Sequence, residues 1–540
     1  MSGRAGGGRL TGTGALITMA FRRDRIMLVV WIYALTAFVA AAVYSFKKLY
    51  PTTAARDEVA VTTAHNPALL SLYGPLYGNS LGSLTAWRDA ALLALGMGLM
   101  SIFIVVRHTR ADEETGRLEL VGAAVVGRQA PLAAALAVAV TANLIIGLTI
   151  TAAATALGLP AAGSIALAAG AAGSGLVFAG VAAVTAQLAQ GARSARGLAI
   201  GAVAVAYLLR AVGDSAGPGG PHWLSWLSPI GWAELTRAFD GARWWVLALP
   251  VVLALVAGAA GAMLAARRDY DAGLLAQRPG PASGSASLGT SLALAWRLQR
   301  ATLFAWMAGG LVYGAVIGSS ARGIGGLLTG AELRRIIARL GGHAGLTNSY
   351  LAAILSFTGL LAAGFAVSAV LRLRGEETAG HADPVLATGA SRIGWGAGHL
   401  AIAAAGTVLI VGLTGLGAGL GYVYRAGGGA DEIGRLVVAG LVQAPAALVI
   451  AGLAAALFGL VPQWSVGASW TALGIVVVML LLGGTVQLSH WVLDISPFAH
   501  LPKLPGGVIH PMPLVVLCVI ALGLGVAGLV GLRRRDIVTS

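Results

Sequence analysis

The feature that most constrains this chain is a succession of apolar stretches, each long enough to cross a lipid bilayer and separated by charged or turn-forming segments. A hydrocarbon core about 30 Å thick needs roughly 20 apolar residues in helical form. Such stretches fall at 26–46, 88–107, 130–157, 162–189, 196–213 and 243–266. A second set falls at 301–320, 350–371, 393–422, 436–460, 466–488 and 512–532. Backbone groups in lipid must be satisfied within their own segment, so each stretch reads as helix. The expected fold is an all-α integral membrane protein with about twelve transmembrane helices.

Composition agrees. Hydrophobic residues make up 57% and charged residues 11%, too few charges to cover a soluble surface. The net charge of +15 is read as the positive-inside bias of membrane proteins. The basic residues sit between apolar spans rather than on a soluble face, which argues against nucleic acid. With the N-terminus in the cytoplasm, Arg107, Arg110, Arg117, Arg128, Arg267, Arg268, Arg372, Arg374, Arg392 and Arg533 to Arg535 fall inside. Outside segments carry Lys47, Lys48, Arg334, Arg335 and Arg339, interspersed with Asp57, Glu58 and Glu332. An even number of spans places both termini in the cytoplasm of a multi-pass protein of the plasma membrane. The stretch from Ile26 to Phe46 exceeds a signal-peptide apolar region and reads as a retained first span.

Residues 267–287, with Arg278-Pro-Gly-Pro-Ala-Ser-Gly-Ser-Ala-Ser, have linker composition. They divide the chain into a first six-helix half, 1–266, and a second, 288–540. The halves repeat each other. Between spans two and three, Glu113-Glu114-Thr115 matches Glu376-Glu377-Thr378. After a one-residue insertion, Gly116, Glu119 and Arg128 match Gly380, Asp383 and Arg392, with His381 in place of Arg117 and Pro384 in place of Leu120. Arg25 precedes Trp31 as Arg300 precedes Trp306, and Ser228-Pro229 recurs as Ser496-Pro497. Both halves start and end inside, so the repeat is parallel, a pseudo-dimer.

Residues 110–128 suit a short amphipathic helix at the membrane surface, and two equivalent cytoplasmic knobs suit a permease that receives force from two ATPase subunits. The chain has no nucleotide site of its own. A P-loop needs glycines followed by Lys-Ser/Thr, whereas Lys48 and Lys503 each precede leucine. Cys518 is the single cysteine, and His490, His500 and His510 are spaced unsuitably for a metal. The outer segments offer only isolated Asp214, Asp240 and Asp494, so no catalytic carboxylate cluster is expected and the chain is not read as an enzyme.

This pattern resembles the membrane subunits of type-2 ATP-binding-cassette exporters. The two-halved form with Arg-x-Asp-Glu-Glu-Thr-Gly-Arg-x-Glu-Leu is similar to actinobacterial exporters of polyketide antibiotics, the tetronasin-type permeases. The resemblance implies one permease with two copies of a separate ATPase, which binds ATP and Mg, and export of hydrophobic or amphipathic compounds by alternating access. It implies coupling helices at 111–127 and 375–391, elbow helices at 12–25 and 288–300, and re-entrant outer segments at 214–242 and 489–511. The ATPase-coupling residues would be Glu113, Glu114, Thr115, Gly116, Arg117, Glu119 and Arg128, with Glu376, Glu377, Thr378, Gly380, His381, Asp383 and Arg392. The second and fifth spans of each half would line the substrate path, near Arg88, Phe103, Tyr207, Arg210, Phe357 and Phe365. Arg210 and Asp214, four residues apart, also fit a neutralising pair at the span end. Two alternatives are export of a lipid or cell-envelope precursor and a proton-coupled transporter; the latter would want acidic residues deep in its spans.

Overall fold

The computed structural model describes residues 8–536 apart from 65–66, 123–124, 216–219, 269–272, 276–282, 284–285, 322–345, 427 and 483–489. Among the described residues, 11 helices are long and apolar enough to cross a membrane, and Ser465–Leu480 forms a shorter apolar helix. This is the all-α membrane architecture expected from hydropathy. Most of the linker, the far end of the 466–488 stretch, and Arg334, Arg335 and Arg339 lie outside the described residues.

The chain divides into two compact units, Met1–Gly280 and Pro281–Ser540. The first comprises α1 (Thr13–Leu49), α2 (Thr53–Ala64), α3 (Pro67–Tyr73), α4 (Leu81–Val106), α5 (Arg117–Gly122), α6 (Ala130–Ala156), α7 (Ala161–Leu188), α8 (Ala192–Ser215), α9 (Pro229–Leu235) and α10 (Ala248–Arg267). The second comprises α11 (Ser291–Ser320), α12 (Leu346–Thr378), α13 (Ala382–Ala387), α14 (Arg392–Ala426), α15 (Ala430–Leu441), α16 (Ala444–Leu460), α17 (Ser465–Leu482), α18 (His490–Leu493) and α19 (Pro511–Arg534).

In the first unit α4 and α7 are the buried pillars, and α1, α8 and α10 present apolar side chains such as Val30, Val205 and Leu255 outward. Lipid tails are as apolar as leucine, so helices associate here through close packing and interhelical hydrogen bonds. The Asn143 amide on α6 donates to Ser101 Oγ on α4 at 2.8 Å, inside the core. In the second unit α11 and α14 run backbone against backbone. Gly314 and Gly318 face the carbonyls of Thr414 and Ala418, while Gly417 and Gly421 face those of Leu311 and Ala315.

The separate elbow helices expected at 12–25 and 288–300 are not present as such. Residues 13–25 are the first turns of the continuous 37-residue α1, about 56 Å long at 1.5 Å per residue. Residues 291–300 likewise open the 30-residue α11. The reason is local. No glycine or proline interrupts Ala15–Leu49 or Ser291–Ala308, so nothing ends either helix at the interface.

Candidate functional site

The charged segment after α4 is built differently from the surface helix expected at 111–127. The α4 helix continues through a wider π-turn at Arg107–Ala111 and ends at Glu114. Gly116 then takes φ 70, and its N–H bonds the Glu113 carbonyl at 3.0 Å. Only glycine adopts this left-handed conformation without cost, so it stops the helix. The chain restarts as the six-residue α5. The second unit repeats this. Helix α12 runs to Thr378, Gly380 takes φ 70 with its N–H on the Glu377 carbonyl at 3.1 Å, and α13 follows with six residues. The expected helix at 375–391 is therefore also two pieces. Glu113 and Glu114, and Glu376 and Glu377, belong to the end of a spanning helix, not to the helix beyond the turn.

The side chains fix the register of the repeat, and it has no insertion. Glu113 accepts two N–H groups of Arg268, one at 2.7 Å, and one from Arg110 at 2.9 Å. Glu377 accepts two from Arg535, at 2.6 and 2.9 Å, and one from Arg374 at 3.3 Å. Arg268 and Arg535 each stand immediately after the last spanning helix of their unit. Arg128 bonds the carbonyl of Arg268, and Arg392 bonds that of Arg535 at 2.8 Å. One step earlier in the chain, Asp112 lies 3.7 Å from Arg117 and Glu376 lies 3.2 Å from His381. Asp112-Glu113 thus corresponds to Glu376-Glu377, and Thr378 stands where Glu114 stands. The shared Glu-Glu-Thr triplet places the match one residue off. Gly116, Glu119 and Arg128 do correspond to Gly380, Asp383 and Arg392.

Burial sorts these residues. Glu113, Glu376 and Glu377 are buried in ion pairs, whereas Glu114, Thr115, Arg117 and Glu119, and Thr378, His381 and Asp383, are exposed at the turns. The first unit carries a further network. Asp24 on α1 is fully buried, 2.6 Å from His108 and 3.2 Å from Arg107 at the end of α4. Arg23 bonds Asp112 at 2.6 Å. In the second unit Gln299 holds the place before Arg300 that Asp24 holds before Arg25, and it bonds His399 on α14 at 2.8 Å. Arg268, Arg535, Asp24 and His108 were not singled out from the sequence as site residues. The available signal was an arginine at the same point after each last span.

At the opposite end of the first unit, Arg210 is fully buried, 2.7 Å from Glu234 and 3.7 Å from Asp214. It donates to the carbonyls of Ser71 and Leu72, and its guanidinium lies over the Tyr207 ring, 4.5 Å from the centroid. Tyr207 donates to the Leu72 carbonyl at 2.9 Å. The principal partner of Arg210 is therefore Glu234, which the four-residue spacing to Asp214 did not reveal. Arg88 lies over the rings of Phe38 and Phe46, and Phe103 is half-buried on α4. Phe365 is buried edge-on to Trp306, and Phe357 packs on the same core. Of the residues expected along the substrate path, Tyr207 and Arg210 come together, and Phe357 and Phe365 share a core. Beside that core a groove of about 330 Å³ is walled by Trp306, Tyr313, Thr358, Leu361, Ile410 and Thr414.

Known proteins place this architecture. The model of the C-terminal domain of the multidrug efflux system permease Rv1217c matches residues 288–533. Over 538 residues, 98% of this chain and 96% of the relative, the chain is 39% identical to the multidrug efflux system permease protein Rv1217c of Mycobacterium tuberculosis (strain ATCC 25618 / H37Rv). Identity at that level, sustained along almost the full length of both proteins and joined to the eleven apolar helices among the described residues, makes this multi-pass membrane protein a member of the multidrug efflux permease family.

Proposed function

We propose that the chain is the membrane-spanning subunit of a type-2 ATP-binding-cassette exporter, of the kind that exports polyketide antibiotics. It moves hydrophobic or amphipathic drugs outward by alternating access, driven by two copies of a separate ATPase that binds ATP and Mg. The chain itself binds no cofactor, and its two termini lie in the cytoplasm beside the ATPases. The observation that carries this reading is the repeated glycine-stopped turn between the second and third spans of each unit. It presents Glu114, Thr115, Arg117 and Glu119 in one unit and Thr378, His381 and Asp383 in the other. Two like-built charged turns offer two docking points. They differ in charge, His381 for Arg117, and Pro384 stands in the exposed turn of α13, so the two contacts are related but unequal.

The reading is tested at the exposed tips, where substitution leaves the Glu113 and Glu377 ion pairs and the Arg23–Asp112 bond in place and removes only the 3.7 Å approach of Arg117 to Asp112. Arg117→Glu with Glu119→Arg should weaken co-purification of the ATPase encoded beside this gene at least ~tenfold, an effect of hot-spot size. The yield of the chain itself should not change. Undiminished co-purification and drug export would remove the coupling role from this turn.

One observation favours proton coupling instead. Asp89 is fully buried in α4 and neither carboxylate oxygen has a hydrogen-bond partner. Intramembrane carboxylates are costly and commonly functional. An ATP-driven exporter should keep its drug export in the Asp89→Asn variant; a proton-coupled one would lose it.

A further inference from the structure

The exposed turn cannot drive a transport cycle unless its displacement reaches the spanning helices. Among the described residues, one connection of the same build does this in both units, across a long stretch of sequence. Glu113 ends α4 and is gripped by Arg268, 155 residues away and directly after α10. Glu377 ends α12 and is gripped by Arg535, 158 residues away and directly after α19. Both grips are two-pronged, a geometry that fixes direction as well as distance. Both glutamates have a second arginine one turn earlier, Arg110 or Arg374. Both gripping arginines are themselves held at their carbonyls by the arginine that opens the next span region, Arg128 or Arg392. The guanidinium is then seated from below by different groups. Gln187 Oε1 accepts from Arg268 at 2.6 Å, and the Phe458 ring lies under Arg535 at 4.9 Å. The same ion-pair geometry on different supports shows that the pair, not its packing, is the repeated element.

We propose that Glu113–Arg268 and Glu377–Arg535 are struts that make the last spanning helix of each unit move with the turn at the end of its second span. Arg268 and Arg535 are positioning residues: their guanidinium groups are taken up by the glutamates and by Gln187 or the Phe458 ring, and they set how much of the stroke at the turn arrives at α10 and α19. The first unit adds a second route. Asp24 and Arg23 tie α1 to His108, Arg107 and Asp112. At the matching place in the second unit Gln299 binds α14 instead. A stroke on the first turn therefore reaches the first and last spans of its unit, and also the start of α8, where Arg110 donates to the Gln190 carbonyl and Glu114 accepts from the Ala192 N–H; among the described residues, a stroke on the second reaches the last span.

This inference rests on the coupling reading given above, and a charge-swap cycle separates the two. The complete permease–ATPase complex in inverted membrane vesicles is assayed with ethidium as probe, for ATP hydrolysis and for ethidium uptake. Glu113→Arg and Arg268→Glu should each cut uptake per ATP hydrolysed at least ~tenfold, while the exposed tip still retains the ATPase. The double variant Glu113→Arg with Arg268→Glu should recover most of it. The exchanged charges still face each other, and Arg110 remains beside them to hold the relocated carboxylate. The Glu377–Arg535 cycle should behave likewise. Arg268→Gln, which keeps a hydrogen-bonding side chain without the charge, serves where a reversal does not fold; it should give normal ATPase retention with reduced uptake per ATP.

Spin labels at Val125→Cys, exposed just beyond α5, and Met263→Cys, with Cys518→Ala, give a readout that needs no drug. Their separation should stay constant between nucleotide-free and vanadate-trapped complex, and should change in the Arg268→Gln background. Single variants with wild-type uptake per ATP would overturn the strut, as would loss that the swap does not recover in a well-assembled complex. If wild-type uptake persists without ATP and no ATPase co-purifies, the coupling reading falls. The swap cycle on the uptake rate still decides whether the pair is a strut.

Discussion

Arg210→Ala is expected to remove most of the correctly folded chain from the membrane. The guanidinium is fully buried and answers Glu234 at 2.7 Å, Asp214 at 3.7 Å and two backbone carbonyls at the end of α3. Removing it strands the buried Glu234 carboxylate and leaves Asp214 with the Ser225 hydroxyl. Breaking one partner of a buried pair costs about 3–5 kcal/mol, a large part of what holds a typical domain together. The measurement is the fraction of detergent-extracted chain that runs as a single species in gel filtration, with its melting temperature. Arg210→Lys should be intermediate, since it keeps the charge but loses the planar fork that reaches Glu234 and the Ser71 and Leu72 carbonyls together. An alanine variant that extracts and melts like the wild type would show that the cluster is not structural, and would return Arg210 to consideration as a drug contact.

The second large effect is expected at the crossing of α11 and α14. A Cβ at Gly314 or Gly318 would run into the backbone carbonyl of Thr414 or Ala418, and nothing there is the free end of a side chain that can swing away. The helices must separate, and overpacking of this kind costs about 1–3 kcal/mol per site. Separation also forfeits the close contact that replaces a hydrophobic driving force in lipid. Gly314→Ala with Gly318→Ala should therefore lower the melting temperature sharply. Gly309→Ala, on the same helix with open space around it, should be neutral or slightly stabilising because alanine is the better helix former. Equal behaviour of the two sets would refute the packing described for this crossing.

The sequence carried the membrane class and the positions of the spans, because a bilayer imposes one length and one polarity on every crossing. It carried much less about the ends of the spans. The resemblance implies elbows at 12–25 and 288–300, yet the backbone has no reason to break there, and α1 and α11 run through. The charged turns were found, but two forces act on them that composition does not display. Gly116 and Gly380 stop their helices one turn later than amphipathicity alone implies. The identical Glu-Glu-Thr triplets drew the alignment one residue out of step, whereas Arg110, Gly116 and Arg128 keep constant spacing to Arg374, Gly380 and Arg392. Glu113 read as a surface contact because glutamate in a charged loop usually is one. Its burial depends on Arg268, 155 residues away, and no local pattern reports so distant a partner. The same holds for Glu234 beside Arg210.

ATP-driven export is tested most directly in proteoliposomes containing the chain with and without the adjacent ATPase. The chain alone should hydrolyse no ATP and leave a pH gradient unused. The complex should accumulate ethidium only with ATP, stop with vanadate and be indifferent to a protonophore. Accumulation by the chain alone, driven by a pH gradient and abolished by the protonophore, would contradict it.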